Sequence, residues 1–203
     1  MTLPLVVAIT GATGVVYGAE MLKVLNGLGV PVHLILSESA VRNFAIETDY
    51  KVDEIEALAD VVYKNRDIAA AVASGSFKTR GMVVVPCTIK SLSAIANSYT
   101  ENLVVRAADV TLKERRRLVL MVRETPLHKG HLELMMRCAA LGAVILPPMP
   151  AFYHGPKTIM DLVHQSIGKA LDQFDIEHNL FERWTGVKRK RHASPIGVEG
   201  AAG

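Results

Sequence analysis

Apolar residues fall along this chain in short unbroken runs, set apart by longer amphipathic stretches. The runs are "LPLVVAI" (3–9), "VPVHLIL" (30–36), "GMVVVP" (81–86), "RLVLMVRE" (117–124) and "GAVILPP" (142–148). Apolar side chains at consecutive rather than alternate positions predict strands buried on both faces. Helical periodicity appears at 15–28, from Glu38 onward, and at 88–97, 102–116, 130–141 and 157–173. The shorter stretches 53–60 and 66–73 also read as helical, and "ETDY" (47–50) is a polar break. Strand and helix alternate, which predicts an α/β fold with a mainly parallel sheet covered by helices on both faces. One domain spans residues 1–186, with no internal repeat and no linker inside it.

A chain of 203 residues, 50% hydrophobic and 21% charged, can close such a core alone. The net charge of +3 belongs to the last 17 residues, which carry four Lys/Arg and one Glu; residues 1–186 hold 19 basic and 19 acidic groups. A neutral body argues against a nucleic-acid surface. The "KRKR" run (Lys188 to Arg191), followed by Gly, Ala and Pro, reads as part of a flexible basic tail over 187–203. Cys87 and Cys138 form no spacing motif and fit a reducing compartment. The N-terminus enters a strand with no basic region before it, and no apolar run nears the roughly 18 residues of a membrane span. The expectation is a cytoplasmic protein that does not enter membranes.

Ligands of parallel sheets bind beyond the C-terminal strand ends. Five segments meet there: Gly11-Ala12-Thr13-Gly14, Ser37-Glu38-Ser39, Thr88-Ile89-Lys90-Ser91, Arg123-Glu124-Thr125, and Pro147 through Tyr153. Small residues, hydroxyls and cations at one edge suit a phosphorylated ligand. "TGATG" is neither G-x-G-x-x-G nor a Walker loop, so a dinucleotide and ATP lose ground. A tight corner without any ligand is the plain alternative. Thr88 either caps its own helix or leaves amides for an anion. Arg123 and Glu124 form either a structural ion pair or a functional one. Lys113 to Arg117 suits a solvated helix end, favoured by the helix dipole. His128, His131 and Glu133 lack zinc-site spacing, so no metal is expected. Cys87 reads as a packing residue rather than a nucleophile.

The segments "TGATG", "ETD", "GMVVVPCTIKSLSAIA", "NLVVRAADVTLKERRRLVLMVRETPL", "HLELM", "GAVILPPMPAFYHGP" and a late "RW" follow one another within residues 5–184. In this order they resemble the UbiX-like flavin prenyltransferase family. The "PPMPAFY" form is similar to the branch that accompanies phenolic-acid decarboxylases. The resemblance implies a Rossmann-like, flavodoxin-like flavoprotein domain, assembled as a dodecamer built from trimers. It implies transfer of a dimethylallyl group from dimethylallyl phosphate to N5 and C6 of reduced FMN, without a metal. The product, prenylated FMN, would serve a UbiD-type decarboxylase. An FMN-dependent decarboxylase subunit or a flavin carrier without prenyl transfer is the alternative. Cysteine-decarboxylating relatives of this fold carry P-x-M-N-x-x-M-W, whereas "PPMPAFYHGP" has neither Asn nor Trp.

The same resemblance implies FMN contacts at Gly11, Ala12, Thr13, Ser37, Thr88, Ile89, Lys90 and Ser91, with Arg123 on the FMN phosphate. It implies places around the prenyl phosphate for Glu47, Arg106, Lys113, Glu124, Tyr153 and Lys169. Trp184, the single tryptophan, would lie beside the prenyl group. These residue types suit the chemistry. Breaking an allylic C–O bond leaves an allyl cation and a phosphate dianion. Lys113, Arg106 and Lys169 stabilise the phosphate, Tyr153 donates a hydrogen bond to it, and the Trp184 face stabilises the cation. Glu47, Glu124 or the phosphate itself manages the proton lost from N5 or C6. Thr13 stands where many members have serine, and Lys169 where others have arginine, which loses the bidentate fork. Segment 64–79 lacks a tryptophan that some members carry there. The choice between a mono- and a diphosphate donor stays open.

Overall fold

The computed structural model describes residues 2–186; the expected tail over 187–203 lies outside the described residues. Strands β1 (Leu5–Ile9), β2 (Val32–Leu36), β3 (Val61–Lys64), β4 (Gly81–Cys87), β5 (Arg117–Val122) and β6 (Val144–Ile145) form one sheet. Their order is β3-β2-β1-β4-β5-β6, and every neighbouring pair is parallel. The helices are α1 (Val15–Gly27), α2 (Glu38–Glu47), α3 (Val52–Glu56), α4 (Ile89–Ala96), α5 (Leu103–Lys113), α6 (Lys129–Ala140) and α7 (Ile159–Asp172).

Both faces of the sheet are covered, as the continuous apolar runs require. Leu5, Val7 and Ile9 of β1 pack with Val83 and Val119 against α1 and α7. Val6 and Ala8 pack with Met82, Val84 and Leu120 against α4 and α5 on the opposite face. Strand order reverses between β1 and β4, so the crevice beyond these two strand ends is the topological switch point. Thr10, 2% exposed, ties the ends together. Its hydroxyl donates to the Pro86 carbonyl at 2.7 Å and accepts from the Thr88 amide at 3.0 Å. The β4–β5 register shifts between Val84 and Cys87, where Pro86 brings no N–H to the ladder.

Some expectations change. The five expected strands run β2-β1-β4-β5-β6, which is the flavodoxin order; β3 adds a sixth at the outer edge of β2. Its four residues alternate between half-buried and exposed, a run too short for the two-residue period to stand out. The helix expected at 53–60 is confined to Val52–Glu56. Residues 66–73 are turns with a single 3-10 turn at Ala71–Ala73, not a helix. Asp67 competes locally, its side chain accepting the Ala69 amide at 3.2 Å. β6 pairs over two residues rather than across 142–148, because Pro147 and Pro148 cannot donate to a neighbour. Among the described residues no helix is long and apolar enough to cross a membrane.

Candidate functional site

The turn after β1 is shaped by close packing. A Cβ on Gly11 would lie 2.2 Å from Ser39 Cβ, so only glycine lets this turn rest on the start of α2. Gly14, with φ of 93°, starts α1 from the left-handed region. Asn43 of α2 holds the turn, its Nδ2 donating to the Gly11 carbonyl at 3.1 Å and the Ala12 carbonyl at 3.2 Å. Glu47 Oε2 accepts from the Gly14 amide at 2.7 Å and the Val15 amide at 3.3 Å. The α1 N-terminus would take a pyrophosphate in a dinucleotide-binding sheet; here it holds the protein's own carboxylate.

Beyond β1 and β4 opens a cleft of about 670 Å³. Of the expected FMN residues, Gly11, Ser37, Thr88, Lys90 and Ser91 line it. Ser37 and Thr88 are both helix caps, accepting from the Ala40 amide at 3.1 Å and the Ser91 amide at 3.0 Å. Capping does not consume the site, because the Ile89 and Lys90 amides precede the first intrahelical bond of α4. Ala94, Val104 and Val105 give the cleft an apolar wall. Hydroxyls, helix amides and one lysine facing that wall suit a ligand with a phosphate and a flat ring.

Ala12, Thr13, Ile89 and Arg123 do not line this cleft. Ile89 lines a neighbouring groove between α4 and α6, of about 1030 Å³, which meets the cleft at Lys90 and Ser93. The Arg123 amide donates to the Cys87 carbonyl at 3.1 Å, one strand further along the sheet. His128 and His131 stack in the groove with ring centroids 3.6 Å apart. Among the described residues, no three His, Cys, Asp or Glu side chains gather as metal ligands. Both cysteines are free and buried, and burial pushes both thiols up, Cys138 to about 11, which leaves them protonated packing residues.

The groups expected around the prenyl phosphate divide between the two faces of the sheet. Arg106 and Lys113 lie two turns apart on one face of α5, about 10 Å along its axis. Arg106 Nε donates to the Ala73 carbonyl at 3.1 Å and its guanidinium pairs with Asp109 at 3.3 Å. Lys113 pairs with Glu114 beside Gly75. Arg116 is not simply solvated, since it donates to the carbonyls of Phe77 at 2.7 Å and Gly75 at 2.8 Å. Across the sheet, Lys169 of α7 lies 3.5 Å from Asp172, and Trp184 meets Tyr153 edge-on with centroids 6.2 Å apart. Glu124 is exposed, accepting the Thr125 amide at 2.9 Å, and makes no ion pair with Arg123 among the described residues.

The Flavoprotein family profile matches residues 2–171. A flavin prenyltransferase UbiX of Thauera aromatica is 53% identical over 93% of this chain and 97% of its own length. This chain belongs to the UbiX family of flavin prenyltransferases. A UbiX crystal structure described as a complex with FMN and dimethylallyl pyrophosphate superposes with a TM-score of 0.91 at 48% identity, covering 93% of this chain and all (100%) of that one. Another, described as a dodecameric FMN-dependent UbiX-like decarboxylase from Escherichia coli O157:H7, gives 0.88 at 45% identity, covering 91% and 100%.

In this UbiX-family chain the cleft also uses residues that sequence reasoning missed. Asn65, Asn97, Tyr99, Glu101 and Asn102 line it, and Asn43 braces the turn from behind. Asn43 had a usable signal, being one helical turn before Glu47 and so on the same face of α2. Asn65 had none, because it follows the unrecognised strand β3. Its carbonyl accepts the Leu103 amide at 2.7 Å and its side chain the Val104 amide at 3.1 Å, which fixes the start of α5 at the cleft wall.

Proposed function

We propose that this chain is a metal-independent flavin prenyltransferase that moves a dimethylallyl group from dimethylallyl phosphate to N5 and C6 of reduced FMN, for use by a UbiD-type decarboxylase. The carrying observation is the near full-length identity with flavin prenyltransferases, joined to a switch-point cleft lined by Ser37, Thr88, Lys90 and Ser91. That lining fits FMN, offering hydroxyls, a cation and α4 amides to a phosphate and an apolar wall to a ring. Bound there, reduced FMN supplies the nucleophilic N5 and C6.

The chain's own groups do the rest. Arg106, Lys113 and Lys169 neutralise the departing phosphate, with a hydrogen bond from Tyr153. The Trp184 face stabilises the allyl cation, and the apolar wall keeps out the water that would trap it. Glu124 is the less engaged acid/base group, accepting one amide where Glu47 holds two with one oxygen. The sheet separates Arg106 and Lys113 from Tyr153 and Lys169 within one chain. A single phosphate is reached by both sets only where one copy meets another, so the active form is a homo-oligomer, in keeping with the dodecameric relative. A cytoplasmic setting is our reading, in keeping with two free, buried cysteines.

The direct test is mass spectrometry of the flavin released after anaerobic incubation with reduced FMN and dimethylallyl monophosphate, with a parallel diphosphate sample. A gain of one five-carbon unit is expected, and the faster donor identifies the preferred leaving group. Unmodified FMN in both samples, with binding confirmed, would instead make the chain a flavin carrier or decarboxylase subunit.

A further inference from the structure

After α7 the chain turns and runs back along that helix to Trp184. Gly168 makes this possible: a Cβ there would lie 2.5 Å from Phe181 and 2.6 Å from His178, so both rings sit in a notch on α7. The His178 side chain is 1% exposed. Its Nδ1 accepts the Leu180 amide at 3.3 Å, which leaves Nε2 as the donor, 2.9 Å from the Gly168 carbonyl and 3.1 Å from Asp172 Oδ1. Asp172 also receives both arms of Arg183, at 2.7 and 3.2 Å, while Lys169 Nζ stands 3.5 Å away. Trp184, the next residue, is 62% exposed. Burial within its own chain therefore does not fix its ring. Besides the edge-on contact with Tyr153, the forked Arg183–Asp172 contact one residue earlier is the restraint nearest along the chain.

We propose that Asp172 is a positioning residue for prenyl transfer: its carboxylate clamps Arg183 and His178, and so holds Trp184 against Tyr153 while orienting Lys169. This rests on the reading that Trp184 and Lys169 serve the prenyl phosphate. Asp172 touches no reacting atom itself. It gives an aromatic side chain that is exposed within its own chain a fixed direction.

The test uses the sole tryptophan as its own reporter. Asp172→Asn keeps the shape of the side chain but removes the charge. Time-resolved anisotropy of Trp184 should show a larger fast component, and kcat should fall about tenfold while FMN affinity stays within about twofold. Gly168→Ala retains the carboxylate and favours the helix, yet displaces both rings from the notch; it should reproduce the phenotype and carries the test should Asp172→Asn not fold. Asp172→Glu should recover part of the rate. Unchanged Trp184 mobility in both variants overturns the proposal. So does increased mobility at full kcat when Trp184→Ala is impaired. If Trp184→Ala itself keeps full kcat, the underlying role of Trp184 fails and the proposal falls with it, which separates the two failures.

Discussion

Thr10 is where fold and site depend on the same hydroxyl. Thr10→Val preserves shape and volume but deletes a group that donates to the Pro86 carbonyl and accepts from the Thr88 amide. The carbonyl keeps a second partner, since the Thr10 amide also reaches it at 3.3 Å. The Thr88 amide does not, but it is only partly buried at the cleft wall, so leaving it without an acceptor costs about 1 kcal/mol, the low end of the range for a buried donor, with about 1 kcal/mol more for the lost hydroxyl bond. The expected destabilisation is therefore about 2 kcal/mol, read as a lower urea midpoint at fixed protein concentration. Thr88 is also the N-cap of α4, so its displacement should weaken FMN binding by about tenfold, measured by flavin fluorescence titration. Thr10→Ser retains the hydroxyl and should lose only the methyl packing. Equal stability of Thr10→Val and wild type, or FMN affinity unchanged despite the destabilisation, would refute the idea that this hydroxyl joins the sheet to the cleft.

Four further outcomes are expected. Gly11→Ala drives a Cβ into Ser39 and should cost about 1–3 kcal/mol, with weaker FMN binding in the same titration. Glu124→Gln should retain FMN and slow adduct formation; unchanged turnover by flavin mass spectrometry would remove its acid/base role. Lys169→Arg restores a bidentate fork and should lower KM for the prenyl donor without altering FMN affinity. Glu20 is 8% exposed; burial alone would raise its carboxyl, but hydrogen bonds with Lys23, Tyr50 and His164 outweigh this and hold it below the usual carboxylate range. The stability it supplies is complete above the unfolded carboxylate pKa of about 4.3 and is lost as pH falls through the lower folded value, so Glu20→Gln should flatten the acid limb of the stability curve.

What was legible in the sequence follows from which forces act locally. β1, β2, β4 and β5 could be read because burial on both faces imposes unbroken apolar runs, and the half-buried β6 because its two paired residues lie inside such a run; their C-terminal ends then pointed to the cleft without any contact being known. β3 could not be read, because an edge strand of four residues shows only half a pattern. The turns at 66–73 were hidden because alanine-rich composition favours helix until Asp67 spends its side chain on the nearby Ala69 amide and Asn65 anchors the segment to the distant start of α5. Ser37, Thr88 and Ser91 were found through their place after a strand. Tyr99 and Glu101 were not, since they reach the cleft from the α4–α5 connection. The split of Arg106 and Lys113 from Tyr153 and Lys169 was beyond any linear reading, because residue type says nothing about which face of a sheet a helix covers.

The turn "GATG" suits a mononucleotide better than a dinucleotide. In a dinucleotide fold the first helix offers its free amides to a pyrophosphate, and the glycines clear the approach. Here Gly11 clears room for Ser39 instead, and Glu47 fills the amides at Gly14 and Val15. An incoming phosphate at that position would meet a carboxylate at hydrogen-bond range, a like-charge contact that opposes binding. The α5 start also borders the cleft, but Asn65 and Asn102 occupy its first amides; that leaves α2 and α4, whose caps Ser37 and Thr88 face the cleft. A flavin mononucleotide has one phosphate to place and can use them. Removing the blocking charge with Glu47→Gln should therefore leave α1 capped through the amide oxygen, keep FMN bound, and raise affinity for a competing dinucleotide such as FAD. Unchanged discrimination between FMN and FAD by competitive titration would mean that cleft length, rather than Glu47, sets the choice.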